Sequence, residues 1–197
     1  MELFISLCLG IGLAAACGFR VFVPLFLISA AQYAGLEILE FTDGFQWIGS
    51  LPSLITFGVA SIIEIFAYYI PFVDNVLDTI AIPLAAVAGT LVTMGSVMEL
   101  EPLWRWSIAL IAGGGVAGMI KGSGAAVRAA SSVKTAGIGN PVVSTVETGT
   151  SIGLTALAVL LPVAAFVVVA LILWLVYRTT RRIGSFLKKK RGAEASP

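Results

Sequence analysis

Histidine is missing from this chain altogether, and that absence narrows its chemistry first. Without imidazole there is no ordinary general base near neutral pH, no commonest metal ligand, and no Ser-His-Asp or Cys-His arrangement. The chain is therefore expected not to be an enzyme, to bind no metal and to need no cofactor. Cysteine is almost as scarce. Cys8 and Cys17 lie in one apolar segment on different helix faces, so no disulfide framework is available. Charge is sparse too, at 12% of residues against 58% hydrophobic. Such a chain has too little polar surface to dissolve as a monomer, and a lipid bilayer is its natural solvent.

The charge that is present is unevenly placed. The formal balance is +1, yet Arg178, Arg181, Arg182, Lys188, Lys189, Lys190 and Arg191 crowd the last stretch, leaving the body slightly acidic. This run follows the apolar stretch Val163 to Tyr177, where Lys and Arg hold a helix end on the cytoplasmic side. The C-terminus is accordingly expected inside, in the inner (plasma) membrane. Recognition of anionic lipid headgroups is the alternative use of the same charges; nucleic-acid binding is not expected. At the other end, Glu2 stands where a signal peptide would carry basic residues, and the first apolar run outlasts signal-peptide length, so it is expected to remain as a membrane segment.

Crossing about 30 Å of hydrocarbon takes about 20 apolar residues. Five segments qualify: Leu3 to Ala34, Trp47 to Ile70, Ile80 to Met98, Leu103 to Ile120 and Thr155 to Tyr177. The connectors are short and acidic, Gly35 to Gln46 with Glu37, Glu40 and Asp43, Pro71 to Thr79 with Asp74 and Asp78, and the corner Glu99 to Pro102. The fold expected is all-α: a polytopic transmembrane helical bundle of about five crossings in a single domain, residues 1–178, with a basic cytoplasmic tail, 179–197.

Two segments are irregular. Leu3 to Ala34 is too long for one crossing and is interrupted at GFRVFVP by Gly18, Arg20 and Pro24; proline frees backbone groups that a membrane cannot satisfy, so a kinked or re-entrant helix is expected. Lys121 to Leu154 carries Lys121, Arg128, Lys134 and Glu147 among small residues and is broken at GIGNP, Gly137 to Pro141. Counting crossings puts this basic stretch on the outer side, against the positive-inside tendency. A re-entrant hairpin inside the bundle avoids the conflict. A weak internal repeat is also visible, since Gly10, Gly12 and Ala14 are echoed by Gly113, Gly115 and Ala117. Residues 1–98 and 103–178 are then candidate units of an inverted repeat, the device by which many secondary transporters build a site. The triple glycine Gly113 to Gly115 is no nucleotide motif, lacking both a preceding strand and a following Lys-Ser, and close helix packing is its expected role. Trp47, Trp104, Trp106 and Trp174 fall near span ends, where indoles anchor at the interface.

Ionisable groups at membrane depth are costly and usually face a cavity or a partner. The positive set is Arg20, Lys121, Arg128 and Lys134; the negative set is Glu64, Asp74, Asp78 and Glu147. Glu64, inside VASIIEIFAYYIP, is the strongest single candidate. Asp74 and Asp78, four residues apart, share a face if PFVDNVLD is helical, where they can hold a cation or share a proton; alternatively they cap the next helix in headgroup water. Arg128 with Ser131, Ser132 and Thr135 can line a groove for an anion, and Asn140, Ser144 and Glu147 follow on one helix flank. Plain ion pairing and helix packing account for the same residues without any ligand.

The run E64-x-x-A-x-x-I-P-x-V-D-x-x-x-D78, then Pro83 and Gly89, then K121 to R128 and T-x-G-x-G-N-P-V-V-S-x-x-E147, resembles a bacterial membrane family called domain of unknown function 4126. The resemblance spans Gly18 to Glu147 and implies no established activity. It departs from the family pattern at Tyr68 and Tyr69, where charged residues are usual, and in the histidine missing before the motif lysine, which argues against a His-based relay or metal site. GFRVFVP is also similar to the arginine-proline signature of DedA-type membrane proteins, which implies lipid-phosphate transport.

The leading expectation is a small transporter or lipid translocase. Glu64, with Asp74 or Asp78, couples a proton or cation, while Arg20 and Arg128 bind an anionic or lipid-phosphate substrate. Lys121, Asn140, Ser144 and Glu147 complete the site. The alternative is a non-catalytic membrane scaffold or assembly factor whose buried charges are structural ion pairs; an enzyme acting on lipid comes third. Membrane lipids are the expected partners, and a homodimer fits because five helices bury little polar surface alone.

Overall fold

A computed structural model describes residues 1–36, 43–70, 73–97, 100–135 and 137–194, with 43 and 182–194 as backbone alone. Every regular element among them is helical: α1 (Glu2–Phe19), α2 (Phe22–Tyr33), a 3-10 turn (Asp43–Gly49), α3 (Leu51–Ala67), α4 (Val73–Ser96), α5 (Pro102–Ile108), a π-helical stretch (Ala109–Gly114), α6 (Gly115–Thr135), α7 (Asn140–Leu160) and α8 (Pro162–Glu194). The expected connector residues Glu37 and Glu40, with Met98 and Glu99, lie outside the described residues.

Five helical runs are long and apolar enough to cross a membrane: α1, α4, the continuous run Pro102–Thr135, α7, and α8 as far as Arg181. The number agrees with the expectation, but the set differs. Trp47 to Ile70 yields only the 17-residue α3, which with α2 is a shorter apolar helix. Asp74 and Asp78 belong to the first turns of α4 and not to a connector. Thr155 to Leu160 closes α7, because Pro162 cannot continue that helix and opens α8 instead. The chain leaves α6 for α7 through Gly137, whose φ of 86° only glycine adopts without strain.

The core is an axis of small residues on α1, which packs on α4, α6, α7 and α8. Gly12 meets Ala158 and Ala165 on either side of the Leu161 break, so α8 turns back along α1. The basic end of α8 and the Gly137 turn therefore share one end of the bundle, which removes the conflict with the positive-inside tendency that crossing counts had raised. At Gly89 and Gly113 the backbones of α4 and the π stretch come so close that a Cβ on either would strike the other strand of backbone. Gly113 and Gly114 are thus packing positions, as the sequence implied, while Gly115 meets nothing.

The long first segment divides at Arg20. α1 approaches this point antiparallel to α7, with the Ser151 hydroxyl donating to the Ala16 carbonyl at 3.0 Å. α2 leaves it beside α7, and α3 returns antiparallel to α2, since Gly58 packs on Phe26 while Glu64 reaches Val21 and Phe22.

Candidate functional site

Helix ends leave carbonyls and amides without partners inside the helix, and the α1/α2 break creates both kinds in the bundle interior. Side chains from other helices answer them. Lys121 Nζ on α6 donates to the Phe19 carbonyl at 3.2 Å, closing α1. Glu64 on α3 accepts from the first amides of α2, Val21 N to Oε1 at 2.8 Å and Phe22 N to Oε2 at 3.0 Å. The dipole at a helix N-terminus favours this negative charge, and Lys121 Nζ stands 4.0 Å from Oε1.

Arg20, fully buried, spans the same break. Its Nε donates to Thr148 Oγ1 at 3.0 Å and its Nη2 to the Ser144 carbonyl at 3.0 Å and to the Ser144 hydroxyl. All three acceptors are neutral oxygens of α7. Its Nη1 has no partner, one of only two buried side-chain atoms in that state among the described residues.

Arg128 is the opposite case. Its Nε donates to Asp78 Oδ2 at 2.8 Å, its Nη2 to Asp78 Oδ1 at 2.5 Å, and its Nη1 to Glu147 Oε2. This is a forked pairing with one carboxylate plus a second carboxylate behind it. Tyr68, just past α3, ties the groups together: its hydroxyl donates to Asp78 Oδ1 at 3.0 Å. Arg20, Lys121 and Arg128 stand 4.3, 4.7 and 4.6 Å from its ring centroid, within the reach of cation–π attraction.

Nearer the end of the bundle, Asn140 Nδ2 donates to Asp74 Oδ2 at 2.5 Å and to Ser132 Oγ at 2.8 Å. Asp74 Oδ1 accepts from Asn75 N at 2.8 Å. The Asn140 carbonyl oxygen is the second unpartnered buried atom.

All nine residues singled out from sequence, Arg20, Glu64, Asp74, Asp78, Lys121, Arg128, Asn140, Ser144 and Glu147, are buried; seven are linked by contacts that run through Tyr68, and Asp74 with Asn140 forms a pair of its own. Lys134 is not among them; it is exposed on the last turn of α6. The expected balance of four against four is therefore three cations against four carboxylates in the described interior. Asp74 and Asp78 share a helix but not a ligand, since each answers a different partner. Of the hydroxyls expected to line an anion groove, Ser131 and Thr135 bond each other, and Thr135 also donates to the Ser131 carbonyl and accepts from Gly139 N at 3.1 Å. Sequence reasoning passed over Tyr68 and Thr148 as site residues. The spacing of Tyr68 from Glu64, four residues on one helix face, is the signal that marks it. Three or more carboxylates or cysteines disposed to hold a metal ion are not found among the described residues. An apolar cavity of about 300 Å³ lies apart from this network, between α2 and α7, lined by Leu27, Ile28, Ile152 and Val159 among others.

A helical bundle with this composition and this buried ionic interior is a multi-pass membrane protein. The chain belongs to the family described as domain of unknown function (DUF4126), whose model matches residues 7–182. A similarity to DedA-type proteins is not shown by this match. No curated protein and no solved structure matches the chain.

Proposed function

We propose that this protein is a small transporter or lipid translocase for an anionic group, coupled to a proton or cation, seen with its site closed. The observation that carries the reading is Arg20: a permanently charged guanidinium at the helix break, bonded to neutral oxygens alone and holding one N–H without an acceptor. Ion pairs kept only for stability have little rationale in a bundle, because well-packed apolar residues usually serve as well or better. Intramembrane ionisable groups more often mark a path for substrate or protons. The surplus carboxylate in the interior calls for one proton or one cation to balance it, which is the coupling role assigned to Glu64 and Asp74. Arg20 takes the anion. Arg128, whose N–H groups are used by Asp78 and Glu147, holds the site together.

An inverted repeat with broken helices fits this reading. Its support is that both glycine motifs seat on the same stretch of α4, Gly10 and Gly113 each against Thr93. The inner membrane, with the basic end of α8 in the cytoplasm, remains the proposed location. Purified protein in liposomes, assayed for proton-linked uptake and for flipping of phospholipid or polyprenyl phosphate, tests the function. Arg20→Met and Glu64→Gln are expected to abolish or uncouple flux; wild-type liposomes no more active than empty ones in every assay would remove the proposal. The scaffold reading has one observation in its favour, the complete pairing of Arg128, and it predicts that null result.

A further inference from the structure

Glu64 sits where an anionic ligand would be expected to sit. A helix N-terminus in a dry interior, flanked by basic side chains, is a receptor for an oxyanion. Here the two leading amides of α2 each hold one oxygen of the Glu64 carboxylate, at 2.8 and 3.0 Å. Lys121 stands 4.0 Å away, and the next residue upstream of those amides is Arg20, 0% exposed with Nη1 unpartnered. Arg20 and Lys121 both lie against the Tyr68 ring, at 4.3 and 4.7 Å, and both feel the Glu64 charge. The donors exceed what one carboxylate uses. A carboxylate fills the two amides and leaves a guanidinium N–H over.

We propose that Glu64 is a built-in occupant of an oxyanion seat formed by the amides of Val21 and Phe22 with Arg20 and Lys121, and that the substrate's oxyanion replaces it there. This deepens the transport reading and rests on it for the substrate's being carried, while the seat itself is an equilibrium binding site. The ligand class is an oxyanion offering at least three acceptor oxygens, two for the amides and one for Arg20 Nη1. A free phosphate-like ion and a phosphodiester lipid headgroup both meet that requirement. The groups that face Glu64 are Lys121 from α6, Arg20 from the α1/α2 link, Cys17 from α1 and Tyr68 from its own segment, with Glu147 of α7 acting on the same two cations.

The experiment is calorimetric titration of the purified full chain in detergent at neutral pH, with sulfate as the free oxyanion and short-chain phosphatidylglycerol as the headgroup probe. Glu64→Gln is expected to bind the favoured probe about tenfold more tightly than wild type at neutral pH, the scale of an ordinary coupling between two ligands of one site. Arg20→Met lowers binding in both backgrounds. Sulfate binding as well as the lipid assigns the seat to free oxyanions; the lipid alone assigns it to headgroups. Equal affinity of wild type and E64Q, binding untouched by R20M, or no binding of either probe would overturn the proposal. Should E64Q not fold, Glu64→Asp, whose shorter carboxylate cannot span both amides and so binds the probe more tightly than wild type, decides the question. Flux in liposomes is a separate readout, so a transporter without this seat and a seat without transport give different results.

Discussion

The bundle is held by two unlike regions on the same helices. Around Gly10, Gly89 and Gly113 backbone comes against backbone, and Gly12 meets the methyls of Ala158 and Ala165, with Thr93 donating to the Gly10 carbonyl at 3.1 Å as the polar seam. Around Arg20, Glu64, Asp78, Arg128 and Glu147 the contacts are ionic and drawn from α3, α4, α6, α7 and the α1/α2 link. Lipid tails are as apolar as leucine, so helices in a membrane associate through close packing and hydrogen bonds and not through a hydrophobic drive. The first region supplies packing that tolerates no added volume. The second supplies charge that tolerates no lost partner. A region built in the second way can answer to protons and ions, which the first cannot do, and that difference is why the proposed function is put at the ionic end.

The contrast breaks most visibly at Arg128. Arg128→Met leaves Asp78 and Glu147 buried without a cation, and the cost expected for breaking a buried pair is about 3–5 kcal/mol; a thermal melt in detergent should show a large loss, and an unchanged midpoint would mean that the pairing carries no weight. The packing region should respond next. Gly113→Val drives side-chain atoms into Gly89 and Thr93, and overpacking of this kind costs about 1–3 kcal/mol, checked by the same melt, with Gly115→Val as a control because a Cβ there meets nothing. If both glycine variants behave alike, the close approach is not limiting.

Two smaller effects sharpen the distinction inside the ionic region. Ser144→Ala removes one neutral acceptor from Arg20 while its own carbonyl still accepts, so a loss of about 1 kcal/mol is expected. A loss as large as that of R128M would make Arg20 a structural residue and weaken the transport reading. Tyr68→Phe keeps the ring beside the three cations and deletes only the hydroxyl bond to Asp78, whose oxygens retain Arg128. Its expected cost is about 0.5–1.5 kcal/mol, while Tyr68→Leu, which removes the ring as well, should exceed it; equal values would remove the cation–π contribution.

Much of this was legible in the residues. Glu64 in the middle of an apolar run, and Asp74 with Asp78 at helical spacing, marked themselves because a charge in hydrocarbon needs a reason. GFRVFVP announced the break at Arg20, since proline and an intramembrane arginine both oppose an ordinary span. The division between α7 and α8 was misread because Thr155 to Leu160 and the stretch after Pro162 are equally apolar, and hydropathy does not register a helix stop between two greasy turns. Lys134 was grouped with Lys121 and Arg128 by nearness in sequence, although its place on the last turn of α6 exposes it.

Composition and hydropathy alone determined that this protein is a helical membrane bundle, because transfer from water to lipid depends on the sum of side chains and little on their arrangement. Which charges meet was decided only by tertiary structure. Arg20 lies 124 residues from Ser144 and Glu64 lies 43 from Val21, and no local pattern distinguishes an arginine given two carboxylates from one left with a free N–H. Electrostatic partnership is a matter of distance in space, and the packing of glycine on glycine sets that distance.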